Sequence, residues 1–130
     1  MDFRLNNEMI RWIKRSVLFE GKDFDLISLA GSSKDLASDN LLMSENFMKH
    51  IGVAVEFHKA EKIIIFHHSD CGAYAKDYNF SSPEKEREKQ IEDMREAKRI
   101  ILKKYPNINI ILVWGKLKDG EGREVEFEVF

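Results

Sequence analysis

The sequence predicts an α/β fold, with a short, mainly parallel β-sheet flanked by helices and an edge strand near the C-terminus. Three observations predict it. Ile63-Ile64-Ile65-Phe66 and the run from Ile108 to Val113 are apolar without alternation, the mark of strands covered on both faces. Between them, Pro83 to Tyr105 repeats its apolar residues at helical spacing, so a crossover helix joins two parallel strands. Finally, Val125, Phe127 and Val129 alternate with Glu124, Glu126 and Glu128, which is the pattern of a half-buried edge strand.

The elements follow in order. Residues 7–20 read as a helix with Met9, Ile10, Ile13 and Val17 on one face and Gly21 as its stop. Residues 24–30 (FDLISLA) read as a buried strand that feeds the turn Gly31-Ser32-Ser33. Residues 35–43 form a loop or helical turn. Ser44 can cap a helix reaching about Lys59, because Phe47, Ile51, Ala54, Val55 and His58 share a face. Lys62 to His67 is a strand. Ser82 is a good N-cap, and Pro83 suits the first position of the long helix. Ile91, Met94, Ala97, Ile101 and Tyr105 supply that helix with a buried stripe, and Pro106 ends it. Its alternating charges from Glu84 to Arg99 read as a solvated face. Asn109 to Trp114 is a second buried strand, Asp119-Gly120-Glu121-Gly122 is a turn, and residues 124–130 are the edge strand.

Composition narrows the function classes. A chain of 130 residues, with 43% apolar and 34% charged residues, suits one globular domain over 1–130. The net charge of −2 offers no basic footprint for nucleic acid. No apolar run approaches the roughly 18 residues of a membrane span. Charges at Asp2, Arg4, Arg11, Lys14 and Arg15 argue against a signal peptide. A single cysteine excludes an internal disulfide and fits a reducing compartment, so the expected location is cytoplasmic.

In open α/β sheets ligands sit beyond the carboxyl ends of the strands. That directs attention to Gly31–Ser33, to His67–Gly72 and to Gly115. In His68-Ser69-Asp70-Cys71-Gly72, an imidazole and a thiolate two residues apart can reach one metal ion, and such N/S ligation favours zinc. Gly72 would let the backbone turn tightly after the thiolate. On spacing alone the signal is weak, because a lone cysteine after a strand is most often a small buried hydrophobe. The remaining candidates read as structure: Ser32 and Ser33 as a turn or cap, His50 and His58 as surface or packing residues. Trp12 and Trp114 read as core or subunit contact. Gly120 and Gly122 mark a turn, and no Gly-rich phosphate fingerprint follows any strand, which argues against a nucleotide binder.

A strand, then His-x-x-Cys-Gly, then a helix, with Leu29-Ala30-Gly31 one βα unit earlier, resembles the β-class carbonic anhydrases. In that family a Cys-x-Asp-x-Arg segment closes the first strand, which lies inside the sheet. Its cysteine completes the zinc site, and its Asp and Arg form a dyad beside the metal-bound water. Met1-Asp2-Phe3-Arg4 matches x-Asp-x-Arg, and the cysteine would fall immediately before Met1. The resemblance runs from residue 1 to about 118. Its register selects His68, not His67, as the ligand.

The resemblance implies His68 and Cys71 as metal ligands, Asp2 and Arg4 as catalytic residues, and Gly31 and Gly72 in the substrate pocket. It implies zinc as cofactor and reversible hydration of carbon dioxide to bicarbonate by zinc-bound hydroxide. It also implies a homodimer or larger assembly with the site at a subunit interface. Two of three protein ligands are present, so the expectation is a longer protein, with a metal-poor interaction subunit as the rival. A carbon disulfide or carbonyl sulfide hydrolase would use the same scaffold.

Overall fold

The computed structural model describes residues 2–17 and 23–130. Helix α1 spans Phe3–Arg15, α2 Leu41–Gly52, α3 Gly72–Asp77 and α4 Pro83–Lys104; the strands are β1 Lys62–His68, β2 Asn109–Leu117 and β3 Val125–Val129. The sheet order is β1-β2-β3. β1 and β2 pair in parallel from Lys62↔Asn109 to His68↔Gly115, while β3 runs antiparallel to β2. The sheet is therefore mixed rather than mainly parallel.

The parallel pair and its crossover form as the pattern predicts. Ser82 caps α4 by accepting from the Lys85 amide, and Pro83 opens the helix, where its missing N–H costs no intrahelical bond. Ile91, Met94, Ala97 and Ile101 on α4 pack against Ile65 of β1 and Ile110, Leu112 and Trp114 of β2, with Phe47 and Ile51 of α2. The opposite face belongs to α1, whose Leu5, Met9 and Ile13 meet Phe66, Val125 and Phe127. Trp12 stacks there edge-on to Phe66, with centroids 5.5 Å apart.

Helix boundaries move for capping reasons. α1 begins at Phe3, four residues earlier than expected, because the Asp2 carboxylate accepts from the Arg4 amide and caps it. It stops at Arg15; the expected continuation to residue 20 and the Gly21 stop fall largely outside the described residues. Asn40, rather than Ser44, caps α2 by accepting from the Met43 amide. The last turns widen into a π-helix, Val53–Phe57.

The expected strand at 24–30 does not form. Among the described residues, β1 has one strand neighbour, β2. Asn109 N donates to Glu61 O and Ser69 N to Gly115 O, so the odd-numbered residues of β1 bond to β2. The amide and carbonyl groups of Ile64 and Phe66 then point away from β2, into a groove of about 1040 Å³. Residues 23–29 line the same groove, as do Leu5 and Met9 of α1 and Phe47 and Ile51 of α2. A β-ladder needs backbones about 4.8 Å apart. Residues 23–29 line the groove without strand geometry, and Leu26 stays 56% exposed.

Candidate metal-binding and active site

The pleat of β1 assigns its two terminal histidines to opposite faces. His67 follows Ile63 and Ile65 toward the α4 face; His68 follows Phe66 toward α1. Both are buried, at 2% and 6% exposure, but among different partners. His67 Nε2 accepts from the Ser33 amide at 3.4 Å and lies 2.9 Å from Ser33 Oγ. That nitrogen is therefore unprotonated. Burial, reinforced by the neighbouring His68 charge, pushes the His67 pKa down to about 3, so the ring is neutral near pH 7.

His68 is oriented differently. Its Nδ1 lies 2.9 Å from the Ser69 carbonyl, to which it donates, leaving Nε2 for the pocket. There Nε2 is 3.6 Å from Asp2 Oδ2, and the ring hydrogen-bonds to the Cys71 side chain. Burial is the largest single influence on His68 and acts downward. The Cys71 hydrogen bond and charge, the Ser69 carbonyl and the Asp2 carboxylate together outweigh it, and the pKa is raised. Cys71 mirrors this: burial acts upward, but His68 and the Tyr74 and Ala73 amides bring the thiol below its ordinary value. The hydrogen bond between His68 and Cys71 thus favours the charged form of each.

The N-terminal dyad lies beside this pair. Arg4 grips Asp2 through Nε to Oδ1 at 3.1 Å and Nη2 to Oδ2 at 2.8 Å. That guanidinium hydrogen bond is the chief reason the Asp2 carboxyl is held below the usual range. Arg4 also reaches Asp70, with Nη1 to Oδ2 at 2.7 Å and Nη2 to the carbonyl at 2.8 Å. The 119–123 turn closes over it. Gly122, at φ +77°, leaves no room for a Cβ, which would stand 2.1 Å from the Arg4 carbonyl oxygen.

Asp2, Arg4, His68 and Cys71 are thus brought together from the start of α1, the end of β1 and the β1–α3 loop. Gly31 (φ +74°) lines the groove on whose wall Asp2, His68 and Cys71 also lie. Gly72 opens α3, and a Cβ there would meet nothing within 4 Å. The tight backbone turn expected at Gly72 instead falls before the cysteine, at Asp70 (φ 56°). Two contributors escaped sequence reasoning. Ser33 is 1% exposed and bonded to His67. Glu86 accepts from the Asp70 and Cys71 amides at 3.0 and 2.8 Å. Glu86 sits within a charged helical repeat, where nothing in the sequence distinguishes it from its solvated neighbours.

The donor chemistry suits zinc at two positions. His68 presents Nε2 with Nδ1 anchored on a carbonyl, the usual outer-shell arrangement for a ligating imidazole. Cys71 supplies sulfur with a lowered pKa. Among the described residues, no group of three or more His, Cys, Asp or Glu side chains is arranged to hold a metal. Asp2, the nearest third donor, has both oxygens engaged by Arg4.

Comparison with known proteins decides the family. The sequence model of the family described as "Putative carbonic anhydrase" matches residues 1–123. The chain belongs to that family. An "Uncharacterized protein" of Rickettsia bellii (strain RML369-C) is 32% identical over 114 residues, covering 85% of this chain and 68% of that protein. No solved structure matches. The family match spans the Asp2–Arg4 pair, His68, Cys71 and the 119–123 turn that closes over Arg4. Among the described residues, no helix is long and apolar enough to cross a membrane.

Proposed function

We propose that this protein is a zinc-dependent carbonic anhydrase of the β class, interconverting carbon dioxide and bicarbonate, with His68 and Cys71 holding the metal. The convergence of His68 Nε2, the Cys71 thiol and the Arg4-held Asp2 carboxylate carries the reading. When bound, zinc supplies a water that ionises near neutral pH. Asp2, kept ionised by Arg4, would accept a hydrogen bond from a water beside His68 and Cys71 and so orient it. Arg4 keeps that carboxylate from turning away, since it is itself fixed on Asp70. His67 adds no competing cation, because burial holds it neutral. Leu5, Met9 and Phe66 give the groove an apolar wall that suits a small, linear, uncharged substrate.

Assembly as a homo-oligomer in a reducing, cytoplasmic compartment completes the proposal. Phe3 on α1 and Leu41 and Leu42 on α2 are 84%, 75% and 80% exposed, apolar surface that a second copy would cover. One free cysteine fits such a compartment.

A second reading has a specific observation in its favour. Among the described residues the donor set is short of three, which suits a metal-poor family member acting as an interaction subunit. Elemental analysis with stopped-flow carbon dioxide hydration separates the two. We expect the 130-residue chain to bind zinc weakly and hydrate slowly. Fusing an apolar strand of about five residues ending in cysteine ahead of residue 1 should restore both. The groove beside Ile64 and Phe66, with its outward amides, supports that extension. Stoichiometric zinc in the extended protein without hydration near neutral pH would overturn the carbonic-anhydrase reading.

A further inference from the structure

The loop carrying Cys71 is held between an anion and a cation. Asp70 lies in the left-handed region at φ 56°, a conformation that among residues with side chains Asn and Asp adopt most readily. Such a residue turns two successive amides the same way, forming a concavity that receives an anion. Here the anion is the Glu86 side chain: Oε2 accepts from Asp70 N at 3.0 Å and Oε1 from Cys71 N at 2.8 Å. On the other side, Arg4 Nη2 donates to the Asp70 carbonyl at 2.8 Å.

Glu86 is itself anchored. Gln90, fully buried one helical turn further along α4, donates to Glu86 Oε1 at 2.8 Å. The Trp114 indole of β2 in turn donates to Gln90 Oε1 at 3.3 Å. A chain of hydrogen bonds therefore runs from the sheet through α4 to the peptide that aims Cys71. A glutamate in the first turn of a helix is favoured by the helix dipole alone. That general role does not call for both oxygens to be occupied by backbone amides of a different element.

We infer that Glu86 is a positioning residue: its carboxylate fixes the Asp70–Cys71 backbone and so directs the Cys71 sulfur at His68. The inference extends the metal reading above and rests on it for its functional weight, while the positioning can be measured without metal. Rotation of the Asp70 peptide would swing the Cys71 Cβ, and the two donors would no longer converge.

The test uses the full chain with Glu86→Ala and Glu86→Gln. Glutamine keeps the size of the side chain but accepts only one of the two amides, so it decides the matter if the alanine variant fails to fold. In metal-free protein, NMR should show nuclear Overhauser contacts between the His68 ring and the Cys71 β-protons weakened in E86Q. The Asp70 and Cys71 amide protons should shift upfield and exchange faster. Titration with cobalt(II) alone should show affinity reduced about 10-fold or more, with an altered thiolate charge-transfer band. Ile101→Val, about 22 Å along α4 from Glu86 by helical rise, is the control for general destabilisation. It should leave all these readouts unchanged.

Wild-type Overhauser contacts in E86Q would overturn the inference, whatever the metal does. If the wild-type chain takes up no cobalt, the metal reading fails while the Overhauser contacts still decide the positioning.

Discussion

The two faces of the β1 terminus shift the same residue type in opposite directions. On the α4 side, His67 is enclosed with Ser33 and lies 5.7 Å, centroid to centroid, from the Tyr74 ring. Tyr74 is fully buried and donates to Asp93 at 2.8 Å. Burial and the neighbouring His68 charge both oppose an imidazolium there, and the pKa falls to about 3. On the α1 side, His68 is nearly as buried, yet Cys71 and Asp2 reverse the balance. Burial alone therefore does not mark a reactive histidine. What separates them is whether an anionic group acts directly on the ring, as Cys71 and Asp2 do on His68.

Removing donors from the α1 face should have the largest effect. His68→Ala or Cys71→Ala, made in the strand-extended protein, should lower zinc affinity beyond the roughly 10–100-fold typical of losing an outer-shell partner. Hydration activity should fall with it. His67→Gln, on the other face, should stay within a few-fold of the parent in a competition assay with a chromogenic chelator. Equal losses at His67 and His68 would break the comparison.

Arg4 comes next. Arg4→Gln removes the bidentate hold on Asp2 and the contacts to Asp70, so zinc affinity or hydration should drop about 10–100-fold. The sign of the accompanying pH effect is fixed by the lowered Asp2 pKa. A depressed carboxyl contributes stability above its unfolded value of 3.8 that is lost as pH falls through the folded pKa. In Arg4→Gln the Asp2 pKa should rise toward 3.8, so acid unfolding followed by circular dichroism should begin at higher pH.

How much of this was legible in the sequence follows from where the determinants lie. β1, α4 and β2 were readable because their pattern is local: unbroken apolar runs, a Ser-Pro cap and a 3.6-residue stripe each act within a few residues. The 24–30 segment has an equally strand-like composition, but a strand is defined by its neighbour, and among the described residues the sheet is β1-β2-β3 alone. The mixed sheet has the same cause, since only β1 and β2 run parallel. At the site, the His68–Cys71 spacing and the Asp2–Arg4 pair were legible as a motif. Glu86 and Ser33 act across 15 and 34 residues of sequence, and neither belongs to a motif. The choice of His68 over His67 came from strand alternation and family register, and the structure places His68, not His67, beside Cys71 and Asp2.

The buried neutrality of His67 predicts a distinct acid response. Its folded pKa is about 3 against 6.5 unfolded, so below pH 6.5 the unfolded chain binds a proton that the native state refuses. The contribution is intact above 6.5 and erodes as pH falls toward 3, at most about 1.4 kcal/mol per pH unit. Urea midpoints measured at pH 7, 6 and 5 should decline for the parent. In His67→Gln the decline should be shallower, because glutamine does not titrate but still offers an acceptor. An identical slope would mean that another group carries the acid response.

The smallest expected effect tests whether the α4 face is only scaffold. Ser33 is 1% exposed, its hydroxyl lies 2.9 Å from His67 Nε2, and the turn holding it passes through Gly31 and Ser32 in left-handed conformations. Ser33→Ala removes the hydroxyl and leaves Nε2 with the longer bond from its own amide, at 3.4 Å. A buried acceptor that loses its better partner costs about 1–3 kcal/mol, and the surviving amide contact places this case near the low end. For a chain of this size, about 1 kcal/mol is a fall of roughly 4 °C in Tm. The residual nitrogen also becomes less reluctant to accept a proton from water, so the acid erosion assigned to His67 should soften slightly rather than steepen. Zinc affinity should not change, since His68, Cys71 and Asp2 make no contact with the Ser33 hydroxyl in the hydrogen bonds described here. A Ser33→Ala variant that melts normally but loses zinc would show that the two faces are coupled, and that His67 reaches the metal site through its neighbour.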